Sequence, residues 1–346
     1  MLYATTRSKV ATYTAQRALK EERAPDGGFY IPTRFPFYDR DSLLALLKEP
    51  APEIVARILN EFFRTDIGRL DVEFALGRRF FGIRDISHRI FIGELWRNLD
   101  GSFDALCRRL TQRVSLEAGT DHPGTWMRIS CRIALLFAIF AELYRKEQAS
   151  WFEQLDVAVL TGDFEGAFAV YAARKMGLPI GEIICCCNEN SGVWDLINRG
   201  QIKLSSKVVP TMTPKCDMVV PQALELLIRD KLEWDDVEEF LEQQKKGGTY
   251  YLSPEEFRHF RYGISASVVG ESRVRLAIPN LYNTNGYILC PYSALVYTGL
   301  MDYRSHPGPR RAALMLSEFD PRENIQTVIR ALAISDRELD DWRAGE

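Results

Sequence analysis

Leu155-Asp156-Val157-Ala158-Val159-Leu160 is an apolar run of strand length, and Ala167 to Met176 carries a helical pattern closed by Gly177 and Pro179. Between them, Thr161-Gly162-Asp163-Phe164-Glu165-Gly166 is the loop where strand hands over to helix. Glu182-Ile183-Ile184-Cys185-Cys186-Cys187 follows as a second strand, apolar on both faces. Strand, helix and strand in this order imply a right-handed parallel unit. Asn188-Glu189-Asn190 then falls at the carboxyl edge of that sheet, where ligands usually bind. Upstream, Trp126, Ile129, Ile133, Phe137, Phe140 and Tyr144 recur at steps of three and four, which predicts a long helix from Thr125 to Lys146. Ile90 to Leu95 reads as a strand. Phe103 to Val114 reads as a helix capped by Ser102 or Asp100.

The N-terminal stretch has a different rhythm. Thr5 to Ser8 is extended and Tyr13 to Glu22 reads as a helix. Ala24-Pro25-Asp26-Gly27-Gly28 is a turn, and Phe29 to Pro32 a short strand. Asp41 caps a helix from Ser42 to Lys48, Pro52 opens another to Phe63, and Asp71 to Leu76 is helical. The arginine-rich stretch at Arg78 and Arg79 takes no assignment. Beyond the parallel unit, helices are expected at Val193–Asn198, Pro221–Asp230 and Trp234–Lys245, and after Ser253. Helical or mixed segments cover Arg273–Asn283 and Tyr287–Gly299. Arg311–Leu316 reads as a strand and Pro321–Ile334 as a helix. Residues 1–85 thus read as a mainly helical N-terminal domain and 86–334 as an α/β large domain. Residues 335–346 read as a charged tail that frays.

Composition narrows the function classes. The 346 residues are 46% hydrophobic and 26% charged, ordinary for a globular protein, and the net charge of −3 gives no case for nucleic acid or anionic membrane. The seven cysteines are odd in number and form no C-x-x-C pair, so neither a disulfide framework nor a zinc site is expected. No signal-peptide pattern opens the sequence. The apolar run Ile133 to Ala141 is too short to span a bilayer. The expected location is the cytoplasm.

The chemistry centres on the loop after Leu160. A strand-to-helix loop offers free backbone N–H groups and the positive end of a helix dipole, which together attract anions. Asp163 and Glu165 stand in that loop and oppose this. They form either a carboxylate pair for acid–base or divalent-cation work, with Asp104 as a third member, or a helix start. In the second reading, Asp163 caps the helix at Ala167 and Glu165 faces solvent. The second is favoured, because helix starts select acidic residues anyway. Cys185 and Cys187 share one face of their strand and Cys186 the other, most simply as small core residues. His88, His122, His259 and His306 are scattered without ligand spacing, and the pairs Arg78-Arg79, Arg108-Arg109 and Arg310-Arg311 read as solvated faces.

Several collinear segments resemble threonine synthases. Thr6-Arg7 with Ala24 to Pro32 resembles the STRG and APDGGLYVP pattern of that family, and Thr125-Trp126-Met127-Arg128-Ile129 the start of its SINWAR helix. Thr161 to Gly166 with Ala172 to Ile180 resembles TGNFGN and AKKMGLPI. Asn188-Glu189-Asn190 resembles NEN, Thr211 to Met218 resembles TLSPSMDI, and Gly286 to Ala294 resembles GYLIDPHTA. The resemblance implies a tryptophan-synthase-β-like large domain of pyridoxal-phosphate (PLP) fold type II with a parallel sheet. The small PLP subdomain would be largely deleted, since one short loop joins Val114 to Thr125.

The departures fall on the chemistry that the resemblance implies. Asp104 stands where the family has its imine-forming lysine. In the phosphate loop Thr161, Gly162, Asp163, Phe164, Glu165 and Gly166, three family residues are replaced, by Asp163, Glu165 and Gly166. Glu318 stands for a threonine facing the cofactor ring, and Cys290 and Tyr292 for the Asp and His of DPHTA. The expectation is therefore a pseudoenzyme that has lost PLP and binds an unidentified small molecule or protein, with no metal. Lys215 is the better of two substitute amines, ahead of Lys203. One alternative is repurposed, cofactor-free or metal-aided chemistry on Asp104, Asp163 and Glu165. Another is residual conversion of O-phosphohomoserine to threonine. Loss of the subdomain leaves a face for Phe103–Val114 or Thr125–Lys146 to cover, within the chain or in a homodimer.

Overall fold

A computed structural model describes residues 1–86, 89–232 and 234–345. The N-terminal part begins with β1 (Leu2–Thr5), β2 (Ser8–Thr14), α1 (Ala15–Lys20) and β3 (Tyr30–Pro32). The three strands form an antiparallel sheet with β1 in the centre. Part of the helix expected over Tyr13–Glu22 is thus strand. The alternation of Val10, Thr12 and Thr14 with their neighbours suits a ribbon, and β-branched residues favour strands. Then come α2 (Arg40–Lys48), α3 (Ala51–Phe63) and α4 (Arg69–Leu76). Asp39, not Asp41, caps α2, its carboxylate accepting the Ser42 N–H at 2.9 Å.

The large sheet is introduced by β4 (Gly82–Asp85) and β5 (Ile90–Glu94), followed by α5 (Phe103–Val114), α6 (Thr125–Arg145), β6 (Leu155–Leu160), α7 (Glu165–Lys175) and β7 (Ile180–Asn188). A second run holds α8 (Val193–Arg199), β8 (Gln201–Lys203), α9 (Leu224–Lys231), α10 (Trp234–Lys246), β9 (Thr249–Tyr251), α11 (Pro254–Arg261) and β10 (Ile264–Val269). The chain closes with α12 (Glu271–Asn285), α13 (Pro291–Ser305), β11 (Ala312–Ser317), α14 (Ile325–Leu332) and α15 (Asp336–Gly345). The sheet order is β10-β7-β6-β11-β5-β4, parallel except for β4 at the edge. The expected parallel unit is β6-α7-β7.

Both faces of this sheet are covered, as parallel sheets require. Cys185, Cys187, Val157 and Leu314 point into one core with α6 and α7. Cys186, Ile184, Ala158 and Met315 point into another with α12 and α13. The alternation expected for the cysteine strand holds, and all seven cysteines are free and buried. α6 is apolar nearly all round, as a helix buried on every side must be. Trp126 packs edge-on against Tyr3, Phe62 and Phe168, and a Cβ on Gly93 of β5 would meet Ile139 of α6 at 3.0 Å. α6 is therefore covered on all sides within the chain. Because β5, β6 and β11 run parallel, the segments after their carboxyl ends gather on one side of the sheet.

The tail does not fray. α15 is capped reciprocally: the Ser335 N–H donates to Glu338, and the Glu338 N–H donates to the Ser335 hydroxyl at 3.2 Å. Leu339 is fully buried against Ile288 and Val328. Trp342 donates its indole N–H to the Gly286 carbonyl at 2.9 Å.

Candidate functional site

The loop after β6 is strained where it turns. Phe164 takes φ 76° and ψ 0°, a left-handed conformation unfavourable for a bulky residue, and is held there by complete burial. The Phe164 N–H donates back to the Thr161 carbonyl, and the Asp163 carboxylate accepts the Glu165 N–H at 2.9 Å. Asp163 thus supplies, from within the chain, an anion to the first N–H of α7.

Glu165 does not face solvent. It is 4% exposed and turns towards α6, where Arg128 Nε donates to it at 2.9 Å and Arg132 Nη1 at 3.1 Å. Arg132 also forks onto Glu318 through Nε and Nη2, both at 2.8 Å, and lies over the Phe103 ring at 4.3 Å. Arg128 reaches Glu22 at 2.7 Å. A line of alternating charges therefore runs Glu22, Arg128, Glu165, Arg132, Glu318. Burial alone would lower the Arg132 value, but the charges of Glu318 and Glu165 outweigh it and hold the guanidinium protonated. Gly166 makes room for this: a Cβ there would stand 3.1 Å from Glu318 Oε1 and from Val159. Two family departures, Gly166 and Glu318, are thus one adjustment. Sequence reasoning treated them as separate losses and missed Arg132 altogether. The four-residue spacing of Arg128 and Arg132 was the available signal.

A cleft of about 210 Å³ lies above this network. Its walls bring together Asp104 from the first turn of α5, Asp163 from the β6 loop, Glu318 and Phe319 after β11, and Lys215. Asp104 and Asp163 have no ion-pair partner among the described residues. Asp163 is crowded by neighbouring protein atoms, yet its side chain is exposed to the cleft. Burial, reinforced by Glu165 and opposed by Arg132, pushes that carboxyl up to about 7. Lys215 lies over the Phe319 ring at 4.2 Å and 3.6 Å from Glu323, whose carboxyl is pushed up by burial against the pull of Lys215. Tyr292 does not line the cleft. It stacks on Phe319 at 4.2 Å, its hydroxyl accepts the Lys215 N–H at 3.4 Å, and burial pushes its phenol up to about 12.

The remaining candidates stand apart. Asn188 and Asn190 are engaged by Asp217, at 2.7 and 2.8 Å. Lys203 is exposed on β8. His122 faces Glu22 at 3.4 Å, His259 and His306 are exposed, and His88 lies outside the described residues. Among the described residues, no group of three or more His, Cys, Asp or Glu side chains is placed to hold a metal ion. The triad Asp104, Asp163 and Glu165 is not assembled, because Glu165 points away.

The family model for the threonine synthase N terminus matches residues 2–78. Threonine synthase-like 1 of Macaca fascicularis is 26% identical over 173 residues, which is 49% of this chain and 23% of that protein. The N-terminal part of the chain thus carries the threonine synthase N terminus, and the chain is similar to threonine synthases beyond it. Its match spans about a quarter of the length of that curated relative. The PLP-bound threonine synthase from Brucella melitensis superposes with a TM-score of 0.84 at 18% identity, over 99% of this chain and 94% of its own. Yeast threonine synthase gives 0.85 at 16%, with the same coverage. These likenesses show the fold, PLP fold type II.

They also correct one expectation. Loss of PLP does not stand, because a threonine synthase of the same fold over nearly the whole chain is PLP-bound. The cleft offers an amine on Lys215 for the cofactor's aldehyde, although Asp104 stands where the resemblance places the lysine. The guanidinium in its wall, Arg132, is committed to Glu318 and Glu165, so the described lining residues leave no second free cation for a phosphate. Among the described residues no helix is long and apolar enough to cross a membrane.

Proposed function

We propose that this threonine synthase-like chain does not make threonine and instead binds a small, positively charged organic molecule in its cleft. The observation that carries this reading is the charge of the walls. Asp104, Asp163, Glu318 and Glu323 face only Arg132 and Lys215, and Arg132 is already neutralised by Glu318 and Glu165. Asp104 and Asp163, both exposed to the cleft, are left to receive an ammonium group. A carboxylate at position 104 is no nucleophile towards an aldehyde, so the family's imine has no amine there. Seven free, buried cysteines suit the cytoplasm.

Calorimetric titration of the full chain with 1,4-diaminobutane as the probe tests this. Saturable binding is expected, at least tenfold weaker in the D104N/D163N double variant. Absence of binding by the wild type, or equal binding by both, refutes the reading. A second reading, imine chemistry through Lys215, is supported by the position of that amine over Phe319. Borohydride reduction in the presence of PLP, followed by peptide mapping, would place a stable adduct on Lys215 if it holds.

A further inference from the structure

A second cavity, of about 600 Å³, opens between the segment after α4, the edge strand β4 and the end of α15. It shares no lining residue with the cleft. Six cationic side chains line it, Arg78, Arg79, Arg84, Arg97, Lys146 and Arg343, against one lining carboxylate, Glu142. Behind the wall, Glu94 pairs with Arg97 at 2.6 Å, and Asp320 pairs with Arg343 at 2.6 Å. Glu142 is shared between Lys146 at 3.1 Å and Arg145 at 3.0 Å. Counting these three carboxylates, the lining cations still outnumber them two to one. In a chain of net charge −3 this is a marked local reversal.

Arg78 and Arg79 are exposed and have no ion-pair partner among the described residues. Arg343 Nε is enclosed yet has no hydrogen-bond partner among the described residues. Gathered like charges repel, and an enclosed donor without an acceptor is unfavourable. An anion in the cavity would relieve both. Guanidinium groups present paired N–H donors that match phosphate oxygens, and several arginines on one wall match several phosphates. The size fits a nucleotide-sized molecule, and Phe81 offers an apolar surface beside the arginines.

We infer that this cavity is a binding site for an organic polyanion carrying two or more phosphates, separate from the cleft. Arg78 and Arg79 grip the phosphates from the N-terminal side and Arg343 from α15, so the bound molecule ties the last helix to the first domain.

The test is a titration of the full chain with pyrophosphate, orthophosphate and ATP, with circular dichroism as a check on folding. Pyrophosphate is expected to bind at least tenfold more tightly than orthophosphate, with ATP at least as tight as pyrophosphate and affinity falling as salt rises. R78S/R79S, two changes at exposed positions, should weaken pyrophosphate binding at least tenfold, and R343Q, which keeps a polar side chain and removes the charge, should also weaken it. D163N in the cleft should leave it unchanged. ATP or pyrophosphate should also slow proteolytic release of α15. Absence of saturable binding, equal binding by R78S/R79S, or a loss caused by D163N would overturn the assignment.

Discussion

Asp163 is where the physics of single residues can be read most directly. An acid whose folded value lies above its unfolded one binds more protons when folded, over the interval between the two. For Asp163 that interval runs from the ordinary 3.8 to about 7. Its contribution therefore becomes less favourable as pH rises through that window and stays so above it. Asp163→Asn keeps an acceptor for the Glu165 N–H and removes the charge. Its thermal stability relative to the wild type should grow from pH 4 to pH 7 and then level off. The plateau should be on the order of 1 kcal/mol, since cleft water screens the carboxyl. A difference that does not vary with pH would show that Asp163 titrates normally. Arg132 has the opposite character. Arg132→Met strands Glu318 and Glu165 with less compensation in a nearly dry setting, and should cost about 3–5 kcal/mol in urea unfolding. R132M combined with E318L should cost less than R132M alone, because one orphaned charge goes with it.

At the scale of elements, α15 shows how local signals can be overridden by composition. The tail from Ser335 is dense in charge and reads as loose chain. Yet Ser335 and Glu338 have the spacing of a capping box, and Leu339 and Trp342 fall three apart on one face. Leu339→Ala should destabilise the docking of this helix by about 2–5 kcal/mol. The expected readout is rapid native-state proteolysis near Ala333 with the rest of the chain intact. Cooperative unfolding of the whole molecule instead would mean that α15 belongs to the main folding unit. The strongly periodic or continuous apolar elements, α6, β6, β7 and β11, were legible because pattern and burial agree. β10 was not, since Ile264-Ser-Ala-Ser-Val-Val has small polar residues inside a sheet and no clean alternation. The N-terminal sheet escaped for a related reason: the exposed face of β2 carries Val10, Thr12 and Thr14, and a helix period fits the residues after it almost as well.

At the scale of the molecule, the scaffold was legible and the site only partly so. Pattern and collinear motifs placed the parallel unit β6-α7-β7 and the loops at its carboxyl edge, and the threonine synthase structures superpose over nearly the whole chain. Motifs also located Asp104, Asp163, Glu318 and Lys215, which the fold gathers in one cleft. They did not reveal that Glu165 leaves it, because partners on a helix more than thirty residues away decide where that side chain turns. A chain read position by position sees seven separate substitutions. The folded molecule shows two of them, Gly166 and Glu318, fitted to Arg132, and that fit is what leaves the cleft acidic.

The most direct measurement is turnover. The full chain, supplied with PLP and O-phosphohomoserine, is assayed for phosphate and for threonine. An acidic cleft with Asp104 at the head of α5 predicts no release of either product above a protein-free blank. Threonine and phosphate appearing in equal amounts, and abolished by Lys215→Ala, would contradict the proposal and make this chain a working synthase with a relocated amine.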